Sequence, residues 1–263
     1  MRLLGGMGTL VEALQRGLDP TLMMTGQKVS RLRSVGAHVE LDSEDAVGSV
    51  TTWRVDHVLL AIPPRLAVQT IVFEPDLPPV LAQQWRATAT WMAPHAKYVA
   101  IYDVPFWREH GLSGEARSTC GPLNEIHDAS VPGGSAALFG FFGIPASVRT
   151  RLSGEVLRAR CRAQLARLFG PKAGNPKADV IKDWALAPYT ATAADQDAAE
   201  HHGNAPVSSA ATGLWRERLT GIASEWSLAF PGYVAGAVDA ASRGVQISPI
   251  FATGASTHIA SQY

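Results

Sequence analysis

Lys97 is the residue whose type and setting point most directly to chemistry. Alternation along 95–103 places Lys97 on one strand face with Val99 and Ile101, and small or aromatic residues on the other face. A lysine in so apolar a strand either lies at the mouth of a sheet, with its ammonium reaching solvent, or lines a site where each polar contact is valuable. The residue pattern alone leaves both interpretations open.

A second candidate region lies late in the chain, where aromatic residues gather around a glycine-rich helix start. The aromatic residues are Trp184, Tyr189, Trp226, Phe230 and Tyr233. They suit either a core or the wall of a cofactor site. The helix predicted to open at Gly232 has Gly236 four residues on, which suits either close helix packing or backbone contact with an anion or an electron-rich ring oxygen.

Several common active-site signatures are absent from the sequence. There is no G-x-G-x-x-G, no phosphate-binding G-x-x-x-x-G-K-[ST] and no G-x-S-x-G. Gly6 and Gly8 begin a G-x-G, but Val11 stands where the third glycine belongs. One acidic and histidine-rich run lacks the spacing of metal ligands and is interpreted as solvated surface: Asp195, Asp197, Glu200, His201 and His202.

Composition and charge exclude several classes of function. The chain of 263 residues has 23 Lys+Arg and 23 Asp+Glu, which argues against general electrostatic binding to nucleic acid or anionic membranes. Hydrophobic residues make up 46%, so the chain can bury a large core. Cys120 and Cys161 are too few for a disulfide framework or a four-cysteine zinc site. With no apolar run of about 18 residues and no signal-peptide pattern, we expect a cytoplasmic protein without a membrane span.

Hydrophobic periodicity predicts the elements that must position these residues. Helices are predicted over 8–18, 80–89, 153–169 and 232–245. Strands are predicted over 28–33, 37–41, 53–62, 95–103, 122–128, 136–142, 179–184 and 220–224. The apolar run 58–62 is typical of a strand buried on both faces, ended by Pro63 and Pro64. In the last helix we expect an inward face of Val234, Ala237, Val238 and Ala241.

Three segments in series resemble the flavin-containing monoamine oxidase family. The first is the glycine-containing run 2–10, followed by Val29 and by the run 56–64, which ends in Ala-Ile-Pro-Pro. The second is the lysine strand and Pro-Phe-Trp-Arg of 95–108. The third is 223–225 with the Pro-Gly-Tyr-x-x-Gly-Ala of 231–237. Their order and spacing agree across residues 2 to 245.

The resemblance implies a two-domain α+β fold, in which an α/β domain binds FAD and a mixed sheet with helices binds substrate. It implies oxidation of a small-molecule amine, with O2 reduced to H2O2. Lys97 would be catalytic and hold a water near the flavin, while Tyr189 and Tyr233 would bind substrate. The implied cofactor contacts are Val29, Trp184, Ser224, Glu225, Gly232 and Tyr233.

The departures from the family pattern set further expectations. The family's glycine-rich turn and ribose-binding acid have no match, so the chain is expected to be an N-terminally truncated member. The expected parts are 1–72 and 205–247 for the FAD-binding domain, 73–204 for the substrate domain, and a tail at 248–263. In the family, two tyrosines form an aromatic cage beside the substrate amine, and in some relatives a cysteine holds the flavin covalently. Ala193 or Ala194 stands at the place of the second cage tyrosine and of this cysteine, so FAD would be bound non-covalently.

Three functions stay open at this point. The leading expectation is an FAD-dependent amine oxidase. The alternatives are a non-catalytic fragment or half-enzyme, completed by a partner chain or a homo-oligomer that covers the exposed sheet edge, and an unrelated α+β domain that binds a small molecule. Since backbone contacts to the pyrophosphate would be missing, we expect the isolated chain to purify without flavin and to produce no amine-dependent peroxide.

Overall fold

The computed structural model describes residues 5–196 and 204–247, which fall into two compact units. The insert unit comprises 5–27 and His95–Asp183. The split unit comprises Lys28–Pro94, 184–196 and 204–247. Because the insert interrupts the split unit in sequence, early and late segments of the chain share one core.

Helices and strands alternate irregularly along the chain. The helices are α1 (Met7–Arg16), α2 (Pro64–Thr70), α3 (Pro79–Ala87), α4 (Phe106–Glu109), α5 (Ala146–Arg149), α6 (Gly154–Phe169) and α7 (Val234–Ile247). The strands are β1 (Lys28–Val35), β2 (His38–Glu44), β3 (Val50–Val55), β4 (Val58–Leu60), β5 (Val72–Glu74), β6 (Ala96–Tyr102), β7 (Ala116–Arg117), β8 (Leu123–Asp128), β9 (Ala136–Phe142), β10 (Ala178–Asp183) and β11 (Leu219–Gly221). Among the helices of the described residues, none has the length and apolar content that a membrane crossing requires.

The split unit contains two small sheets. A four-stranded sheet has the order β3-β2-β1-β5, in which β1 runs antiparallel to β2 and parallel to β5. The second sheet is the parallel pair β4 and β11, with Val58 opposite Leu219 and Leu60 opposite Gly221. This pairing confirms that the regions around 58–62 and 220–224, far apart in sequence, lie together.

The insert unit is built on one antiparallel sheet with the order β10-β6-β9-β8-β7. In β6 the buried residues are Ala96, Tyr98, Ala100 and Tyr102. They join a core that also includes Leu157, Cys161 and Leu165 of α6. The opposite face of β6 carries Lys97, Val99 and Ile101 and is only partly buried, as the alternation predicts.

The structure corrects one predicted strand in the split unit. The strand predicted over 53–62 is two strands, β3 and β4, and the proline pair that was expected to end it leads directly into α2, which begins at Pro64. Proline suits the first turn of a helix, where a backbone N–H has no intrahelical partner. The sequence prediction recognised proline only as the end of the strand.

The predicted inward face of α7 is also wrong. Its buried residues are Gly236, Ala240 and Gly244, whereas Val234, Ala237 and Val238 are exposed and Ala241 is half-buried. A Cβ added at Gly244 would lie 2.3 Å from Cγ2 of Ile222, so the helix packs closely through its smallest residues. Close approach of backbones overrides the usual rule that valines face the core.

The unit boundaries at Pro94/His95 and Asp183/Trp184 differ from the predicted domain boundaries at 72/73 and 204/205. The segment 73–94 belongs with the split unit because β5 pairs with β1 and α3 contributes Leu81 and Trp85 to the split-unit core. The assignment of FAD binding to one unit and of substrate binding to the other stays a prediction.

Candidate functional site

Lys97 lies in β6 between two neighbouring strands of the insert unit. It is in register with Phe141 of β9 and with Lys182 of β10. Its Nζ lies 5.1 Å from the ring centroid of Phe141 and 5.8 Å from that of Phe139. Cation–π attraction acts over such distances, so the two phenyl rings hold the ammonium against the sheet.

Four rings form a row on this face of the sheet. His127 stacks on Phe139, with centroids 5.6 Å apart and planes at 21°. Phe139 meets Phe141 edge-on at 5.0 Å, and His95 meets Phe141 edge-on at 6.4 Å. Burial, followed by nearby positive charges, lowers the pKa of His95 from its usual value. This face therefore carries aromatic rings beside Lys97 and a His95 that favours the neutral form.

Glu225 is one of the buried acidic groups of the split unit. It lies in the turn Ser224–Trp226 and is 8% exposed. The Ser224 hydroxyl donates to Oε2 of Glu225 at 3.0 Å, and the backbone N–H of Gly232 donates to the Ser224 carbonyl at 3.2 Å. Burial raises the pKa of the Glu225 carboxyl, and the negative charge of Asp195 adds to the rise. The structure thus brings Ser224, Glu225 and Gly232 together.

The groups beside Glu225 fit the polar parts of a dinucleotide. Gly232 has φ +78°, a left-handed conformation that glycine adopts without strain, and α7 begins two residues later. The first N–H groups of a helix have no intrahelical partner, so they can donate to an oxygen-rich ligand. A buried carboxyl with a raised pKa suits hydrogen bonding with hydroxyl groups.

Val29 lies in β1, at an interruption of the strand pairing. The register with β2 shifts between Val29 and Arg31, and the pairing of β1 with β5 covers only Arg31 to Arg33. The backbone of Val29 therefore lies beyond the β5 ladder, where it can exchange hydrogen bonds with a planar ring. This arrangement also fits the cofactor contact that the family resemblance implies for Val29.

Two other glycines of the region serve internal packing instead. A Cβ at Gly236 would lie 2.0 Å from the carbonyl oxygen of Phe230, and one at Gly221 would lie 2.2 Å from the Trp226 ring. Trp226 itself is 2% exposed and meets Trp85 edge-on at 5.2 Å, so it belongs to the core. Of the alternatives for Gly236, close helix packing is therefore the observed one.

The remaining aromatic candidates have different settings. Trp184 begins a short turn at Trp184–Leu186 and is half-buried. Tyr189 is 73% exposed and Tyr233 is 52% exposed, so both present ring surface. The ring centroid of Tyr233 lies 6.2 Å from that of Trp91, a residue that the sequence reasoning missed. Trp91 stands outside every motif, so only its position in space reveals it.

The interpretation of Asp195 as solvated surface is wrong. Its side chain is fully buried and pairs with Arg65 at 2.6 Å. The other four members of that acidic and histidine-rich run lie outside the described residues. Across residues 5–196 and 204–247, no group of three or more His, Cys, Asp or Glu side chains is arranged to hold a metal ion.

Comparison with known proteins places these features in a family. The family model for flavin containing amine oxidoreductase matches residues 1–247. The chain is 31% identical over 196 residues to a probable flavin-containing monoamine oxidase A of Dictyostelium discoideum, covering 72% of this chain and 40% of that protein. It is 30% identical over 172 residues to putrescine oxidase of Kocuria rosea, covering 59% of this chain and 35% of that protein.

Solved structures share the fold. The structure of wild-type putrescine oxidase bound to putrescine has a TM-score of 0.73 and 22% identity, covering 92% of this chain and 52% of that one. Cyclohexylamine oxidase from Brevibacterium oxydans has a TM-score of 0.71 and 22% identity. The chain therefore belongs to the flavin containing amine oxidoreductase family and has its α+β fold. It spans about half, or less, of the length of these relatives.

Proposed function

We propose that this chain carries the amine-binding and flavin-contacting residues of an FAD-dependent amine oxidase. The observation that carries the proposal is Lys97, on the half-buried aromatic face of β6, within a family match that also spans the Glu225–Gly232 region. The reaction takes an amine, O2 and water to an aldehyde or ketone, ammonia or a smaller amine, and H2O2. When bound, a flavin would supply the acceptor for the hydride from the amine α-carbon and the two electrons that reduce O2.

Lys97 acts through a water molecule in this proposal. Its ammonium donates a hydrogen bond that orients the water and stabilises negative charge as O2 is reduced. The support is the position of Nζ over the rings of Phe139 and Phe141, which limits the conformations open to a long side chain. An ammonium already held in place loses little entropy when it binds water.

FAD is held non-covalently in this proposal, by Val29, Trp184, Ser224, Glu225 and Gly232. Alanines at 193 and 194 supply no sulfur for a covalent link. The support within the split unit is the hydrogen-bonded group of Ser224, Glu225 and Gly232 at the start of α7. Tyr189 and Tyr233, whose rings are exposed, contact the amine.

A half-enzyme completed by a partner chain is the second candidate. Its support is α1, in which no residue is buried and the apolar side chains of Met7, Val11 and Leu14 are all more than half exposed. A stable partner would cover such a stripe. Light scattering after size-exclusion chromatography tests the form of this candidate in which the partner is a second copy of the chain, since a dimer supports that form and a monomer contradicts it.

The experiment for the leading proposal is titration of the purified chain with FAD, followed by addition of benzylamine, putrescine or cyclohexylamine without oxygen. As purified, the chain should carry no flavin and produce no amine-dependent peroxide. With FAD added in excess, we expect weak but saturable binding, amine-dependent bleaching of the flavin, and peroxide once oxygen is admitted. Glu225→Ala should weaken FAD binding, whereas Glu12→Ala on the exposed face of α1 should not. Bound flavin that none of the amines bleaches, or the absence of saturable binding, would overturn the proposal.

A further inference from the structure

A cleft of the insert unit gathers two arginines around an apolar floor. The cleft has a volume of about 320 Å³ and lies between α6 and the loops that precede β8 and follow β9. Pro122, Ile144 and Ala163 supply apolar surface, while Arg160 and Arg167 supply two guanidinium groups. Small-molecule sites usually combine a mostly apolar lining with a few polar groups, at volumes of about 300 Å³ and above. The cleft therefore has the size and composition of such a site.

The two arginines lie on one face of α6 and share the cleft. Arg160 and Arg167 are two helical turns apart, so both side chains start from the same side of the helix. Among the described residues, no carboxylate pairs with either of them or lines the cleft, whereas Arg158 of the same helix pairs with Glu155 at 2.9 Å. Two like charges that face one cleft without a counter-charge create a positive potential, which attracts an anion.

A buried glutamine fixes one wall of the cleft. Gln164 lines the cleft and is 1% exposed; its Oε1 accepts from the N–H of Leu123 at 2.9 Å and its Nε2 donates to the Leu123 carbonyl at 2.6 Å. Gly121 lies flush against this amide, since a Cβ there would be 2.4 Å from Oε1 of Gln164. Arg167 donates to the Cys120 carbonyl, which ties this arginine to the same loop. Walls that are already fixed lose little conformational freedom when a ligand binds.

We infer that this cleft binds a small organic anion, whose carboxylate or phosphate head contacts Arg160 and Arg167 and whose apolar body lies on the floor of Pro122, Ile144 and Ala163. Guanidinium groups donate paired hydrogen bonds to carboxylate and to phosphate oxygens, so either head group suits the two arginines. A bare inorganic anion would leave the apolar floor exposed to water. The ligand therefore carries an apolar body that covers this floor.

The helix that forms the anion cleft lies on the opposite side of the sheet from Lys97. Leu157 and Cys161 of α6 share a core with Tyr98 of β6, whereas Lys97 lies on the other face of that strand. A ligand of α6 is therefore separated from Lys97 by the sheet. The inference goes beyond the proposed amine oxidation and does not rest on it, so a chain that oxidises no amine still tests it fully.

A fluorine label at Cys120 tests binding without flavin or turnover. Of the two cysteines, Cys120 is exposed and Cys161 is buried, so bromotrifluoroacetone labels Cys120, the neighbour of Gly121 in the cleft. Phenylacetate or phenyl phosphate should shift the fluorine resonance saturably, and the stronger response identifies the preferred head group. Phenylacetamide, which lacks the charge, and inorganic phosphate, which lacks the apolar body, should shift it much less. No response to either organic anion, or an equal response to either control compound, would overturn the inference.

Calorimetry of the unlabelled chain locates the bound anion. Arg160→Gln should weaken binding about tenfold, the lower end for loss of a charge-assisted hydrogen bond because the side chain is exposed. Ala163→Leu should abolish binding by filling the cleft. The matched controls on α6, Arg158→Gln and Ala159→Leu, change the same charge and the same bulk outside the cleft and should keep the native affinity. Equal losses in Arg160→Gln and Arg158→Gln, or native binding in Ala163→Leu, would overturn the inference.

Discussion

The guanidinium of Arg65 lies 2.6 Å from the carboxylate of Asp195, and the Asp195 side chain is completely buried. Four donors converge on this carboxylate: Arg65, the Thr90 backbone, and the backbone and hydroxyl of Thr192. A buried charge requires this degree of compensation. The pair links α2 to the two segments, 88–94 and 190–196, that follow α3 and the Trp184 turn.

Asp195→Ala should lower the free energy of unfolding by about 3–5 kcal/mol, because it leaves Arg65 as an uncompensated buried charge. Urea denaturation measures the loss. The control is Asp103→Ala, which removes a bridge to Lys177 at 2.9 Å in which both side chains are largely exposed. That change should cost far less stability than Asp195→Ala, because an exposed ion pair contributes little. Equal losses in the two variants would contradict the role given to the pair.

Glu225→Gln should make stability less dependent on pH. Burial raises the pKa of Glu225 in the folded state above its unfolded value of 4.5. Its contribution to stability is therefore complete below pH 4.5 and is lost as pH rises through the folded pKa. The glutamine variant should match the native chain near pH 4 and exceed it at pH 8 in urea midpoint. A pH profile for Glu225→Gln that runs parallel to that of the native chain would contradict the assignment.

Phe141→Leu should release the ammonium of Lys97 from the aromatic face of β6. The chain has five lysines, so reductive methylation with carbon-13 gives a simple NMR spectrum in which Lys97→Arg identifies the signal. The ring-current shift of that signal should decrease in Phe141→Leu. It should persist in Phe230→Leu, which alters an exposed ring of the split unit. An unchanged Lys97 signal would show that Phe141 does not hold the side chain.

Gly221→Ala should destabilise the chain by about 1–3 kcal/mol through overpacking. A Cβ at this position would lie 2.2 Å from the ring of Trp226, and β11 cannot shift without disturbing its pairing with β4. Gly8→Ala is the control, since a Cβ there meets nothing within 4 Å and alanine favours the helix α1. Thermal unfolding should separate the two variants in opposite directions, and a neutral Gly221→Ala would contradict the close packing of β11.

Local patterns predicted much of the secondary structure. The alternation in β6 and the apolar run of β4 gave both strands, and the glycine and proline at 170–171 marked the end of α6. These features depend on neighbours in sequence, where periodicity carries information.

The parts that could not be predicted depend on contacts between distant segments. Asp195 lies 130 residues from Arg65, so its polar neighbours in sequence suggested solvent exposure. Val238 is exposed because α7 packs through glycine and alanine, a preference set by the close approach of Ile222. Trp91 has no motif, and its relation to Tyr233 arises only when the split unit folds.

The most direct test of the central claim is stopped-flow spectroscopy of the FAD-loaded chain, which follows flavin reduction by amine and reoxidation by O2 separately. Lys97→Met should slow reoxidation roughly a hundredfold while reduction changes little, because Lys97 acts on the oxygen step through its water. Lys182→Met is the matched control, since Lys182 is directly opposite Lys97 in the sheet and is exposed. In this variant, flavin reduction and flavin reoxidation should both keep the native rates. Native reoxidation in Lys97→Met, or a native chain whose flavin no amine reduces, would contradict the account.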